Sequence, residues 1–209
     1  MAGSDRRAST LVIGCGALGR ELVELVARDG LEHVEVRCLA ASLHNRPERI
    51  PAAVEGLVVA ARGRHEHIFV AYGDCGTGGA LDRVLARHGI ERLPGAHCYQ
   101  AYAGVAAFDR MAEEEPGTFY LTDFLVRSFD RLVITGLGID RHPELLPQYF
   151  AGYRRVVYLS QRDDPALLEA AERAAERLGL AFEHRPTDLG ELETSIARLA
   201  QAPAAAEAA

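Results

Sequence analysis

Short apolar runs alternate with segments of helical periodicity along most of this chain, and this alternation limits the fold more than any other feature. Five runs are rich in β-branched residues and bounded by glycine or polar residues: TLVIGC, VEVRCLA, HIFVAYG, RLVITGLG and RVVYLS. Such runs are typical of strands buried on both faces of a sheet. Apolar residues recur at helical spacing between the runs, in the segments Gly19–Arg28, Pro51–Arg62, Gly79–His88 and Asp164–Arg177.

Strands that alternate with helices imply right-handed βαβ crossovers. We therefore predict an α/β fold with a Rossmann-like, largely parallel sheet and helices on both faces. Two later segments, LAFEHRP and DLGELETSIARLA, are predicted as a further strand and a closing helix.

The domain prediction is a single α/β domain over residues 10–199. It is compatible with two pseudo-symmetric half-domains, at 10–95 and 130–199, joined by a helical linker at 96–129. We predict that residues 1–9 form a flexible N-terminus and that the low-complexity residues 200–209 form a disordered tail.

The acidic charge of the chain limits its partners. A net charge of −7 and a pI near 5.6 argue against nucleic acid and anionic membranes, both of which select basic surfaces. No apolar run approaches the roughly 20 residues that span a bilayer, and the first residues lack the apolar core of a signal peptide. We therefore expect a cytoplasmic protein whose partner is a small-molecule substrate or another protein. The same features also allow a homo-oligomer.

All 23 basic residues are arginine, so the chain has no lysine. The absence of lysine excludes a Schiff-base mechanism, a covalent pyridoxal phosphate link and the lysine of a P-loop nucleotide site.

Three of the four cysteines follow predicted strands or lie close to their ends. Cys15 ends the first run, Cys75 follows HIFVAYGD, and Cys98 follows a short predicted strand near 90–93. His44 follows the second run. Loops after parallel strands meet at one edge of a sheet, so we predict that these four side chains bind zinc or another thiophilic metal. The fourth cysteine, Cys38, is interpreted as a core residue.

The glycines around Cys15 allow a second interpretation. Gly14, Gly16 and Gly19 form a G-x-G-x-x-G pattern between a strand and a helix, which is typical of dinucleotide binding. The pattern also requires an acidic residue at the end of the second strand, and that end reads RCLAASLH. We therefore favour a turn that presents the Cys15 thiol, with Gly76 allowing the same sharp turn beside Cys75, and keep an NAD- or NADP-dependent oxidoreductase as the alternative.

A third interpretation needs no metal. Facing thiols exchange a proton in two-cysteine racemases, and YGDCGTGG is similar to their nucleophile loop, although Cys98 would have to supply the second thiol. Two acids near the thiols are candidate catalytic groups. Glu21 is either a solvated helix residue or an acid beside Cys15, and Asp74 is either a proton acceptor or a turn-forming aspartate.

Five short elements resemble one family when they are taken in order: VIGCGALGREL, SLHNRPERI, YGDCGTGG, GAHCYQAYAG and PGTFYLTDF. The family is a bacterial and archaeal domain of unknown function, and the resemblance covers roughly residues 10–185. The loop at Cys98 reads Ala96-His97-Cys98 where many members have His-Asp-Cys. The positions that match the family pattern are Cys15, Glu21, His44, Pro47, Cys75, Gly76, Cys98, Pro116, Gly117 and Thr118.

The resemblance implies a metabolic setting, because members are often encoded beside corrinoid proteins and corrinoid-dependent methyltransferases. Its implied role is that of an enzyme or accessory protein in one-carbon metabolism. We therefore expect a zinc-thiolate protein that acts in methyl transfer or docks a corrinoid protein or methyltransferase, with any corrinoid reaching it through that partner.

Overall fold

The computed structural model describes residues 9–201. Most of the predicted flexible N-terminus and most of the predicted tail therefore lie outside the described residues. The strands are β1 (Thr10–Cys15), β2 (Val34–Leu39), β3 (His67–Ala71), β4 (Glu91–Arg92), β5 (Thr118–Thr122), β6 (Arg155–Ser160) and β7 (Ala181–Pro186). The α-helices are α1 (Gly19–Arg28), α2 (Ile50–Ala61), α3 (Ala80–His88), α4 (Cys98–Ala103), α5 (Val105–Glu114), α6 (Asp123–Arg127), α7 (Leu146–Tyr149), α8 (Pro165–Leu178) and α9 (Gly190–Gln201).

The described chain forms two compact units. The first unit runs as far as Ala101 and resumes at Glu191, and the second unit is Tyr102–Gly190. Both contain parallel sheets covered by helices, which confirms the predicted α/β, Rossmann-like fold class. No helix within residues 9–201 is long and apolar enough to cross a bilayer.

The sheet of the first unit has the strand order β2-β1-β3-β4, and all its strands are parallel. Every residue of β1 is buried because neighbouring strands flank it and helices cover it. The chain leaves β1 for β2 on one side and then returns to β3 on the other. This reversal leaves a crevice beyond the carboxyl ends of β1 and β3, where ligands bind in open α/β sheets.

The sheet of the second unit has the order β5-β6-β7. Its central strand β6 pairs with β5 through Thr118 to Thr122 and with β7 along its whole length. The apolar face of α8 packs on this sheet through Leu167, Ala171 and Leu178. Asp164 caps α8, with Pro165 in its first turn and Gly179 just past its end, and residues of these types commonly begin and end helices.

One predicted strand is wrong. The segment RLVITGLG is not a strand, since Asp130–Ile134 forms a π-helical turn. The buried residues of this region, Val126, Phe129, Val133 and Ile134, follow helical rather than alternating spacing. The neighbour of β6 is instead β5, which falls within the segment 96–129 that we predicted as a helical linker. A short apolar run does not by itself distinguish a buried strand from a buried helix.

Candidate functional site

The crevice between β1 and β3 is the natural place for a site in the first unit. Cys15 is the last residue of β1, and the register pairs Gly14 with Ala71 at the end of β3. Tyr72 and the loop that carries Cys75 follow directly. The two cysteine-bearing loops therefore leave adjacent strands at the point where the topology opens the sheet.

The turn after β1 encloses the Cys15 sulfur. Cys15 is only 2% exposed, and the backbone N–H of Ala17 donates a hydrogen bond to its Sγ at 3.3 Å. Burial raises the pKa of this thiol to about 11, although the Ala17 amide acts in the opposite direction. The sulfur is therefore a protonated thiol at neutral pH unless a cation binds beside it.

The glycines of this turn allow close packing. A Cβ on Gly16 would lie 2.9 Å from the carbonyl oxygen of Leu39, and one on Gly14 would lie 2.4 Å from Cδ1 of Leu22. A Cβ on Gly19 would lie 3.1 Å from Sγ of Cys38. The glycines whose spacing resembles a dinucleotide motif thus allow β1 and α1 to pack closely against β2. The nearby Ala17 amide is already directed at a sulfur.

His44 lies next to Cys15. It belongs to a 3₁₀ turn at Ala41–Asn45 that follows β2, and its Nδ1 is 3.6 Å from Sγ of Cys15 and 3.2 Å from the carbonyl oxygen of Ala41. Burial lowers the pKa of His44, so the imidazole is neutral near pH 7. A neutral imidazole with a ring nitrogen beside a thiol is a metal ligand or a proton acceptor.

Tyr72 completes this part of the site, and our sequence analysis does not single it out. Its side chain is 1% exposed, and its ring stacks on His44 with centroids 6.2 Å apart and planes tilted by 14°. The hydroxyl is buried and has no hydrogen-bond partner of good geometry among the described residues. Its interaction with the nearby Cys15 lowers the pKa of that thiol. Two sequence signals point to Tyr72, namely its position directly after β3 and its place as the first residue of YGDCGTGG.

Cys75 is held in a strained backbone conformation. Its φ is +51°, which is uncommon for a residue with a side chain, and its N–H donates to the carbonyl of Ala96 at 2.7 Å. Burial raises the pKa of its thiol, opposed by backbone amides of Gly73 and Cys98 that face the sulfur. The loop therefore presents a buried thiol close to the start of α4.

Three of the sequence motifs meet around this loop. A Cβ on Gly73 would lie 3.1 Å from the backbone nitrogen of His97, and one on Gly76 would lie 3.5 Å from Cβ of Pro47. The elements that contain His44, Cys75 and Cys98 are thus packed on one another. Cys98 opens α4, and although the residue is partly exposed, burial of its sulfur raises the pKa of the thiol.

The three sulfurs influence one another electrostatically. Negative charge on Cys75 raises the pKa of Cys15, and charge on either of these two raises the pKa of Cys98. Within residues 9–201, however, no three cysteine, histidine or carboxylate side chains lie close enough to hold one metal ion. The Cys15 and His44 pair nevertheless has ligand-like spacing in this conformation.

The remaining candidates lie elsewhere or have other contacts. The Asp74 carboxylate accepts hydrogen bonds from the Thr77 hydroxyl at 2.6 Å and from the backbone N–H of Gly79 at 2.8 Å, so it shapes the turn before α3. Burial would raise the pKa of Asp74, but these hydrogen bonds lower it overall.

The structure corrects two other interpretations of single residues. Glu21 is 2% exposed, so its interpretation as a solvated helix residue is wrong. Cys38 is exposed, which corrects its interpretation as a core residue.

The fold and the site define a Rossmann-like α/β protein that places buried thiols at its switch point. The chain belongs to a family described as a protein of unknown function, DUF1638, whose model matches residues 38–196. The match contains His44, Cys75 and Cys98, whereas Cys15 and Glu21 precede it. No curated protein and no solved structure matches the chain.

Proposed function

We propose that this protein binds a thiophilic metal ion, zinc in the first instance, through Cys15, Cys75, Cys98 and His44. The observation that carries the proposal is the 3.6 Å separation between Sγ of Cys15 and Nδ1 of His44. Bond lengths of about 2.3 Å for zinc to sulfur and about 2.0 Å for zinc to nitrogen, at a tetrahedral angle, place the two donors about 3.5 Å apart. The pair therefore has the spacing of two ligands on one ion.

The chemistry of the donors supports the same choice of ion. Thiolate sulfur and imidazole nitrogen select zinc and other soft or borderline metals over magnesium or calcium. Burial disfavours an anionic sulfur at each of the three cysteines, and a divalent cation reverses that preference by compensating the charge. A buried cluster of thiols beside a neutral imidazole is thus complementary to a soft cation.

Binding requires two local changes. Nδ1 of His44 can coordinate a metal only in the tautomer with hydrogen on Nε2, so its contact with the Ala41 carbonyl is released. Cys75 and Cys98 must also approach the Cys15 and His44 pair, because no third donor is in range before binding. Both cysteines belong to the first unit, and the loops that carry them pack against each other.

The biochemical role that we propose is methyl transfer, or support of it, in corrinoid-dependent one-carbon metabolism. A bound zinc ion keeps a coordinating thiol ionised at neutral pH, and an ionised thiol is the nucleophile that methyl acceptance needs. The corrinoid part of the proposal is supported by the family resemblance of the motifs. Three protein ligands and an open position would favour catalysis, whereas four would favour a structural or docking role.

Metal analysis of variants in which one cysteine is replaced by serine tests the proposal. We expect wild-type protein purified without chelator to carry one zinc ion per chain. Cys15→Ser and Cys75→Ser should lose it, whereas the matched variant Cys38→Ser should keep it, because Cys38 is not one of the proposed ligands. Wild-type protein that is fully reduced, correctly folded and unable to bind added zinc would rule the site out.

A further inference from the structure

A cavity lies at the amino edge of the first-unit sheet, at the opposite end of the strands from the thiols. Its volume is about 420 Å³, which is within the usual range for small-molecule sites. The start of β3, the end of α2 and the end of α3 form its walls, and His65, His67 and His88 line it together with apolar side chains. None of the sequence motifs discussed above contributes to this cavity.

His65 has an unusual environment in the cavity wall. Its side chain is 5% exposed, and its Nε2 lies 2.9 Å from Oε2 of Glu35. Arg37 binds the other oxygen of Glu35 and, as the largest cause, lowers the pKa of that carboxyl. An ionised carboxylate can only accept, so the hydrogen of a neutral His65 ring is on Nε2.

The other ring nitrogen of His65 is left as an acceptor. Nδ1 exposes less than 1 Å² and has no hydrogen-bond partner among the described residues. Native structures pair nearly all buried polar atoms, with protein groups, water or a ligand. A carboxylate that fixes one edge of an imidazole and leaves the opposite nitrogen as a buried acceptor is an arrangement suited to recognising a donor.

His88 lines the same wall but has no unpaired ring nitrogen like Nδ1 of His65. Its Nε2 lies 3.1 Å from Oε1 of Glu55, and its Nδ1 is in contact with the guanidinium of Arg62. Both ring nitrogens of His88 therefore have partners. The contact with His88 also occupies the guanidinium of Arg62, which lines the cavity.

The charges of the lining select among ligands. Apart from its histidines, the wall carries two carboxylates, Glu66 and Glu91, against one guanidinium, that of Arg62. Ile68, Ile90 and Leu199 supply apolar surface. An anionic ligand would meet repulsion and would offer His65 no hydrogen, whereas a neutral or cationic donor on a short aliphatic chain matches both properties.

We propose that this cavity binds a small aliphatic molecule with a hydroxyl or amino group and no negative charge, and that this group donates a hydrogen bond to Nδ1 of His65. Because Nδ1 exposes less than 1 Å² before binding, the proposed hydrogen bond also requires a small shift of the side chains around His65. The site is independent of the thiol cluster and of any metal bound there.

The test uses the full chain and three probes of equal length, namely 1-butanol, n-butylamine and butyrate. Long-range ¹H–¹⁵N spectra report the signal of Nδ1 of His65 directly. We expect saturable shifts of this signal with the alcohol and the amine. Butyrate should bind at least about tenfold more weakly, because its carboxylate cannot donate a hydrogen bond to Nδ1. No saturable shift with either donor, or equal binding of butyrate, would overturn the proposal.

Two variants localise the effect. His65→Phe should abolish binding of both donors, whereas His67→Phe should retain it, because His67 lines the same cavity and is exposed. Unchanged binding in His65→Phe would also overturn the proposal. If His65→Phe does not fold, the wild-type spectra still decide, since they follow the same nitrogen without substitution.

Discussion

Sγ of Cys15 lies 3.6 Å from Nδ1 of His44, although Cys15 ends β1 and His44 lies in the turn after β2. This separation predicts the effect of removing the imidazole. His44→Ala should weaken zinc binding by more than about tenfold, because the loss of a direct ligand costs more than the loss of a group that only orients one. Competition with a chromophoric chelator measures the affinity. The control is His142→Ala, an exposed histidine of the second unit, and equal losses in both variants would contradict the assignment.

Tyr72 is predicted to act through Cys15. Its buried hydroxyl has no hydrogen-bond partner among the described residues and can donate to the sulfur once that sulfur is an anion. Tyr72→Phe should therefore reduce zinc affinity about tenfold and change the free energy of unfolding of metal-free protein by less than about 1 kcal/mol. Absorption of the cobalt-substituted protein should shift in its sulfur-to-metal band. Wild-type affinity and an unshifted band would show that the hydroxyl does not contact the bound thiolate.

The raised pKa of Cys15 predicts slow alkylation of metal-free protein. The thiolate is the reactive form, and a pKa of about 11 means that about 1% of Cys15 is ionised at pH 9, where a thiol with an ordinary pKa of 9.0 is half ionised. The rate with iodoacetamide at Cys15 should therefore keep rising through pH 9 and reach half of its maximum only near pH 11. Peptide mass spectrometry at each pH resolves the four cysteines. A plateau below pH 9 would contradict the burial argument.

Gly16 is predicted to tolerate no side chain. A Cβ there would lie 2.9 Å from the Leu39 carbonyl oxygen and 3.1 Å from the Ala41 nitrogen, and both are backbone atoms that cannot rotate away. Gly16→Ala should lower the free energy of unfolding by about 1–3 kcal/mol. Urea titration measures this. In Gly56→Ala, where no atom lies within 4 Å of the added methyl group in the middle of α2, stability should instead rise by about 0.5–1 kcal/mol.

Asp123 is predicted to anchor the carboxyl end of the second-unit sheet. It is fully buried, and its Oδ1 accepts hydrogen bonds from the hydroxyl of Tyr158 at 2.7 Å and the backbone N–H of Gln161 at 3.0 Å. Asp123→Ala leaves both donors unpaired and should cost about 2–4 kcal/mol of unfolding free energy. The exposed Asp140→Ala should cost less than about 0.5 kcal/mol. Similar urea midpoints for the two variants would contradict this role.

Local patterns were sufficient for most elements of the fold. The runs that became β1, β2, β3 and β6 combine β-branched residues with flanking turns, and Asp164, Pro165 and Gly179 mark both ends of α8. They were insufficient between 96 and 134, where TFYLT and RLVIT have similar composition but form a strand and a π-helical turn. Which of the two pairs with β6 depends on contacts with distant residues, and local composition does not contain that information.

The sequence by itself determined that thiols and an imidazole follow successive strands of a parallel α/β protein, because strand direction and crossover handedness follow from local pattern. Only the tertiary structure decided which of them meet. It places His44 beside Cys15, adds Tyr72 to the pair and leaves no third metal donor in range among the described residues. It also creates the cavity at His65 from residues that share no motif. Distances between side chains depend on strand register, loop packing and burial, which are set by the whole fold and not by neighbours in the chain.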